Sequence, residues 1–114
     1  MAIDYRSPTV RWNRPVATRI SIDRDAVAAF CRRHHVHRLA LFGSVLRDDF
    51  TPASDVDVLV EFEPGHVPGF AFFAMEAELS AIFRRKVDLN TPGFLSRYFR
   101  DRVLAEAETQ YVAA

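Results

Sequence analysis

The spacing of apolar positions changes several times along the chain, and each change marks an element. Val27, Phe30, Cys31 and His34 recur at i, i+3, i+4 and i+7. That spacing predicts a helix with one buried face, capped by Asp23 and running to about His35. His37 to Phe42 then reads as a short strand with Leu39 and Leu41 on one face. Gly43-Ser44 is a turn, Val45 to Asp48 begins a short helix, and 51–54 is loop. Asp55 to Phe62 is the strongest strand, with Val56, Val58 and Val60 on the face opposite Asp55 and Asp57. A Pro- and Gly-rich loop over 63–69 separates it from a helical pattern over 70–83. That helix turns Phe72, Met75, Leu79, Ile82 and Phe83 inward. Phe70, Phe72, Phe73 and Met75 read as a core group, with Phe70 or Phe73 left outward. Lys86 to Asn90 is a third strand, and Thr91-Pro92-Gly93 breaks the chain. Ser96 is the expected cap of a last helix to about Glu108, burying Phe99, Val103, Leu104 and Ala107. Residues 1–20 lack periodicity and read as an extended arm. The expectation is one α/β (α+β) domain over 21–114, a small mixed sheet of at least three strands with helices packed on it.

Composition narrows the function classes. A chain of 114 residues supports one core, and 49% apolar with 26% charged residues is ordinary for a soluble domain. Equal numbers of basic and acidic residues give a net charge of zero, so no general affinity for nucleic acid or a membrane is expected. The single Cys31 excludes an internal disulfide. The start carries no apolar signal core, and no apolar run is long enough to span a bilayer, so a cytoplasmic location is expected.

Two carboxylates two apart on one strand face are the main chemical signal. Alone, Asp55 and Asp57 read first as the solvated face of an edge strand, because Asp is usually exposed. The preceding Gly43-Ser44 changes that reading. A glycine turn between a strand and a helix start offers backbone N–H groups to phosphates. Paired hard oxygens suit Mg²⁺. Asp88, between two apolar residues, joins the same cleft if its strand lies beside 55–62. Three such carboxylates repel one another without cations, and two divalent ions would neutralise them. Arg47 is a candidate phosphate ligand. Asp49 braces the loop at most, and Glu61 is at most a supporting residue on the Asp57 face. His34, His35, His37 and His66 match no zinc spacing and come without a Cys cluster, so they are set aside. Cys31 lies on the apolar helix face and reads as core.

With these residues in place, the sequence resembles the minimal nucleotidyltransferase domains of the polymerase-β-like superfamily. It looks closest to the MntA-type antitoxins of HEPN/MNT toxin–antitoxin pairs. The resemblance rests on Gly43-Ser44, Arg47, the strand from Ser54 to Phe62, Asp88 in Val-Asp-Leu, and the stretch from Leu95 through Tyr98, Phe99 and Arg100 to Tyr111. It covers about residues 23–112. Asp48 stands where a glycine is expected, and Arg97 where these proteins often carry proline.

The resemblance implies a nucleotidyltransferase with two Mg²⁺ ions held by Asp55, Asp57 and Asp88 and with ATP as substrate. Gly43, Ser44 and Arg47 would meet the phosphates. The implied acceptor is a tyrosine hydroxyl of a HEPN-type toxin, so a hetero-oligomer with that partner is expected. Two alternatives stand beside it. One is a binding-only antitoxin, for which a carboxylate cage has no use. The other is a small-molecule nucleotidyltransferase, which the short chain disfavours because it lacks room for a substrate domain.

Overall fold

The computed structural model describes residues 20, 22–47, 50–51 and 53–113. Apart from Ile20, which is buried in the core, the expected N-terminal arm lies outside the described residues, as do Asp48 and Asp49. Helix α1 (Arg24–Arg33) starts where expected, because the Asp23 carboxylate accepts the Ala26 N–H at 3.0 Å. Strand β1 (Val36–Phe42) follows, then a single 3-10 turn at Gly43–Leu46, and then β2 (Val56–Phe62). Helix α2 (Ala71–Phe83) leads to β3 (Val87–Asn90), a second 3-10 turn, α3 (Arg100–Glu106) and β4 (Glu108–Val112).

The sheet runs β3-β2-β1-β4. β1 is antiparallel to β2 and to β4, while β2 and β3 are parallel. Parallel strands need a crossover, and α2 supplies it. The sheet is therefore mixed, as expected, with a fourth strand added at the C-terminal end.

Alternation divides the sheet into two faces. Leu39, Leu41, Val56, Val58, Val60, Val87 and Leu89 form one, and they bury against Val27, Phe30 and Cys31 of α1 and Phe72, Met75, Leu79 and Phe83 of α2. Ile82 is only half-buried. Burial pushes the Cys31 thiol up to about 12, consistent with a core residue and no nucleophile. The opposite face carries Arg38, Ala40 and Phe42 of β1, Asp57, Leu59 and Glu61 of β2, and Asp88 of β3. Ala40 and Leu59 are buried there too.

The C-terminal third departs from expectation. The last helix ends at Glu106 and not near Glu108, because the chain turns extended at Ala107 and residues 108–112 pair with β1. The helix has no side-chain cap. The Ser96 carbonyl accepts the Phe99 and Arg100 N–H groups, and the Ser96 hydroxyl accepts from Tyr98 N. Phe99 is 42% exposed, and Val103, Leu104 and Ala107 are half-buried, so this helix does not seat the apolar row expected of it. The aromatic group before α2 also divides: Phe72 and Met75 are buried, whereas Phe70 and Phe73 both face outward at 92% and 69% exposure.

Candidate active site

The cleft begins at the end of β1. Phe42 pairs with Asp57 across the antiparallel ladder, and Gly43 follows at φ +75. L-residues pay about 1–2 kcal/mol in that left-handed region, and glycine does not. Space makes the same demand. A Cβ on Gly43 would collide with Asp57 Oδ2 and stand 3.1 Å from Asp57 Cγ. The glycine therefore lets the backbone turn directly over the carboxylate.

Asp57 is half-buried at the centre. Its lateral neighbour in the parallel register is Asp88, and adjacent strands lie about 4.8 Å apart. Asp55 precedes β2 by one residue, and both it and Asp88 are exposed. The consequence is electrostatic. Burial, then the Asp88 charge, then the Asp55 charge push the Asp57 carboxyl up to about 6. The Ser44 backbone N–H, which donates to Asp57, and the Arg47 charge both oppose that rise. Ser44 thus spends its N–H on a carboxylate, and its hydroxyl donates to the Asp55 carbonyl at 3.5 Å. Lys86 Nζ lies 3.9 Å from Asp55 Oδ2 and is largely exposed, so it neutralises little.

Several residues that the sequence reading missed hold the carboxylates in place. Arg85 Nη1 donates to the carbonyls of Thr51 and Ser54 at 3.3 and 3.5 Å, and its guanidinium lies over the Phe50 ring. The Val56 N–H donates to the Lys86 carbonyl at 2.9 Å. Together they fix the loop that delivers Asp55 onto the start of β3. Glu76 and Ser80 of α2 accept N–H groups of β3 on either side of Asp88. Their i, i+4 spacing on one helix face was the only available signal, and it does not distinguish them from solvated residues.

Glu61 shares the Asp57 face but takes no part in the cluster. It accepts from Arg38 Nη1 at 2.7 Å, and Arg38 Nε donates to Thr109 Oγ1, a cross-strand brace over β2, β1 and β4. A cavity of about 340 Å³ lies beside the glycine turn, lined by Phe42, Gly43, Arg47, Arg102, Val103 and Glu106.

The six candidate residues from the sequence therefore meet at one end of the sheet. Burial first, and then the Asp88 and Asp55 charges, raise the pKa of Asp57, and hard carboxylate oxygens are the donor type that magnesium takes. Arg47 lines the adjoining cavity and brings a positive charge that acts on Asp57.

Known proteins give the cleft a context. The chain matches the model of the nucleotidyltransferase domain over residues 24–112. It is 33% identical over 75 residues to putative protein adenylyltransferase MJ0435 of Methanocaldococcus jannaschii, covering 66% of this chain and 80% of that protein. A solved putative minimal nucleotidyltransferase superposes with a TM-score of 0.62 at 34% identity, covering 74% of this chain and 85% of the other. A toxin–antitoxin structure with AMP-PNP superposes with a TM-score of 0.65 at 17% identity, covering 81% and 75% of the two chains, a likeness of fold.

Proposed function

The chain belongs to the nucleotidyltransferase domain family, and from that premise we propose that it transfers AMP from ATP to a tyrosine hydroxyl of a HEPN-type ribonuclease toxin, with magnesium, and so silences it. The observation that carries this reading is the meeting of Asp55, Asp57 and Asp88 beside the Gly43 turn. A module that only binds has no use for three mutually repelling carboxylates. The similarity to a protein named as an adenylyltransferase supports a protein acceptor. The toxin–antitoxin neighbour with AMP-PNP supports ATP and a toxin partner.

Asp55, Asp57 and Asp88 would hold the metal. When bound, magnesium neutralises the triphosphate and makes the acceptor hydroxyl more acidic. The chain's own residues do the rest. Asp57 is fixed by the Ser44 N–H, and Asp55 by the Ser44 hydroxyl and the Arg85-braced loop. Gly43 would let its backbone approach a phosphate with no Cβ in the way, and Arg47 would add a donor for a phosphate oxygen. Asp88, exposed at the rim, would also be placed to take up the acceptor's proton. A bond forms between the tyrosine oxygen and the α-phosphorus as the bond to pyrophosphate breaks, in line. AMP on the tyrosine adds bulk and negative charge beside the toxin's catalytic groups.

No helix among the described residues is long and apolar enough to cross a membrane. The test is mass spectrometry of a HEPN-type protein encoded beside this chain, after incubation with Mg²⁺ and ATP. The expected result is a gain of one or more AMP units, lost when Asp55 and Asp57 are both changed to Asn. Neutralisation with no mass gain, by wild type and double variant alike, would leave binding alone as the function.

A further inference from the structure

The far end of the same sheet gathers a second set of metal-binding side chains. His35, Glu63 and His66 bring one ligand atom each to within 4.8 Å of one another. They come from two segments: His35 from the junction of α1 and β1, Glu63 and His66 from the loop after β2. Val36 pairs with Phe62, so this end of the β1–β2 ladder lies about 20 Å from the Phe42–Asp57 end. The cluster is separate from the carboxylate cleft.

We infer that His35, Glu63 and His66 form a zinc site that staples the loop over 63–69 to the start of β1. The backbone already stitches the three residues together. The His35 carbonyl accepts the Glu63 N–H at 2.9 Å, and the Glu63 carbonyl accepts the His66 N–H at 3.0 Å. The ligand set is thus held by main chain, and only side-chain torsions remain to be set. His35 Nδ1 lies 3.7 Å from Glu63 Oε1. The two imidazoles stack with centroids 3.9 Å apart and planes within 17°. Stacked rings aim their in-plane lone pairs side by side, so each ring must turn about its Cβ–Cγ bond to share an ion. That torsion is broad and soft.

A further observation singles out His35. It sits at φ +57, the left-handed position just past a helix end, where glycine is the usual occupant. A histidine there carries a backbone cost that glycine avoids, and its Nδ1 lies toward Glu63. Two imidazoles and one carboxylate are a ligand set that zinc takes, with the fourth position left for water. All three ligands are accessible to solvent, so entry needs no opening of the core. The sequence reading set these histidines aside because no local spacing joins His35 to His66. The ladder between β1 and β2 does.

The experiment uses the full chain without an affinity tag, stripped with chelator and returned to excess Mg²⁺. Excess Mg²⁺ competes for the hard carboxylate cleft and has little affinity for imidazole. Zinc is titrated against a chromophoric chelator. One zinc per chain is expected, with a rise in melting temperature. His66→Ala, in a loop and harmless to the core, should weaken zinc binding by about tenfold or more and abolish the zinc-dependent rise. His35→Asn, which tolerates the left-handed backbone, should do the same. His37→Ala and Asp57→Asn should bind zinc as wild type does. Equal affinity in wild type and His66→Ala, or loss of zinc in Asp57→Asn, would overturn the site.

Discussion

The Glu76 carboxylate accepts the backbone N–H of Leu89 at 2.8 Å, one residue past Asp88. On the other side of Asp88, the Ser80 hydroxyl oxygen accepts the Val87 N–H at 3.0 Å while its own proton goes to the Glu76 carbonyl. β3 is an edge strand, so these two N–H groups would otherwise have no ladder partner. Helix α2 therefore fixes the strand that carries the third carboxylate. Glu76→Ala should destabilise the fold by about 1–3 kcal/mol through the orphaned N–H. It should lower kcat more than it raises KM for ATP, and speed amide exchange at Leu89. Glu76→Gln keeps an accepting oxygen and should recover most of the loss.

Gly43→Ala tests the contact between the turn and Asp57. The added methyl meets the carboxylate and also forces an L-residue into positive φ. Transferase activity should fall about 10²-fold or more, the scale on which misplaced electrostatic groups act. Stability should drop by about 1–3 kcal/mol, with the circular dichroism spectrum retained. Activity within a few fold of wild type would show that the backbone there has room to move.

Asp57→Asn should separate chemistry from folding by opposite signs. The amide keeps the shape but removes the charge that repels Asp55 and Asp88. The metal-free variant should melt above wild type at pH 7, while nucleotidyl transfer falls about 10²-fold or more. A residue with only a structural role would lose both together.

The same carboxyl predicts a pH dependence. Its pKa is raised in the fold, from an ordinary 3.8 to about 6. The folded state therefore binds this proton more tightly than the unfolded chain does. The contribution of Asp57 is most favourable below pH 4, declines as pH rises toward 6, and is flat above that. The difference in melting temperature between wild type and Asp57→Asn, followed from pH 4 to 7.5, isolates it. Added Mg²⁺ should raise the wild-type melting temperature more at pH 7 than at pH 5, because at lower pH the proton competes for the same oxygens. A magnesium effect independent of pH would contradict this coupling.

What was legible in the sequence was periodic or stereochemical. The 3.6-residue spacing of Val27, Phe30 and Cys31 and the Asp23 cap gave α1 its boundaries to within a residue or two. Alternation through Val56, Val58 and Val60 gave β2 and assigned Asp57 to the other face. The resemblance pointed to the family that the match over residues 24–112 identifies. The C-terminal segment was misread because Val103, Leu104 and Ala107 continue a helical spacing that also leads into Glu108–Val112. A pairing partner far upstream, β1 at Arg38 to Leu41, decided between helix and strand there.

The sequence by itself determined which residues could do chemistry and which face of its strand each would take, because both follow from side-chain type and local backbone period. Only the tertiary structure decided which of them meet. The parallel pairing of β2 with β3 sets Asp88 beside Asp57, and the antiparallel pairing of β1 with β2 lays Gly43 on the Asp57 carboxylate. The same ladder carries His35 to Glu63 at its other end. Each of these meetings depends on hydrogen bonds between residues far apart in the chain, and no local pattern encodes a register.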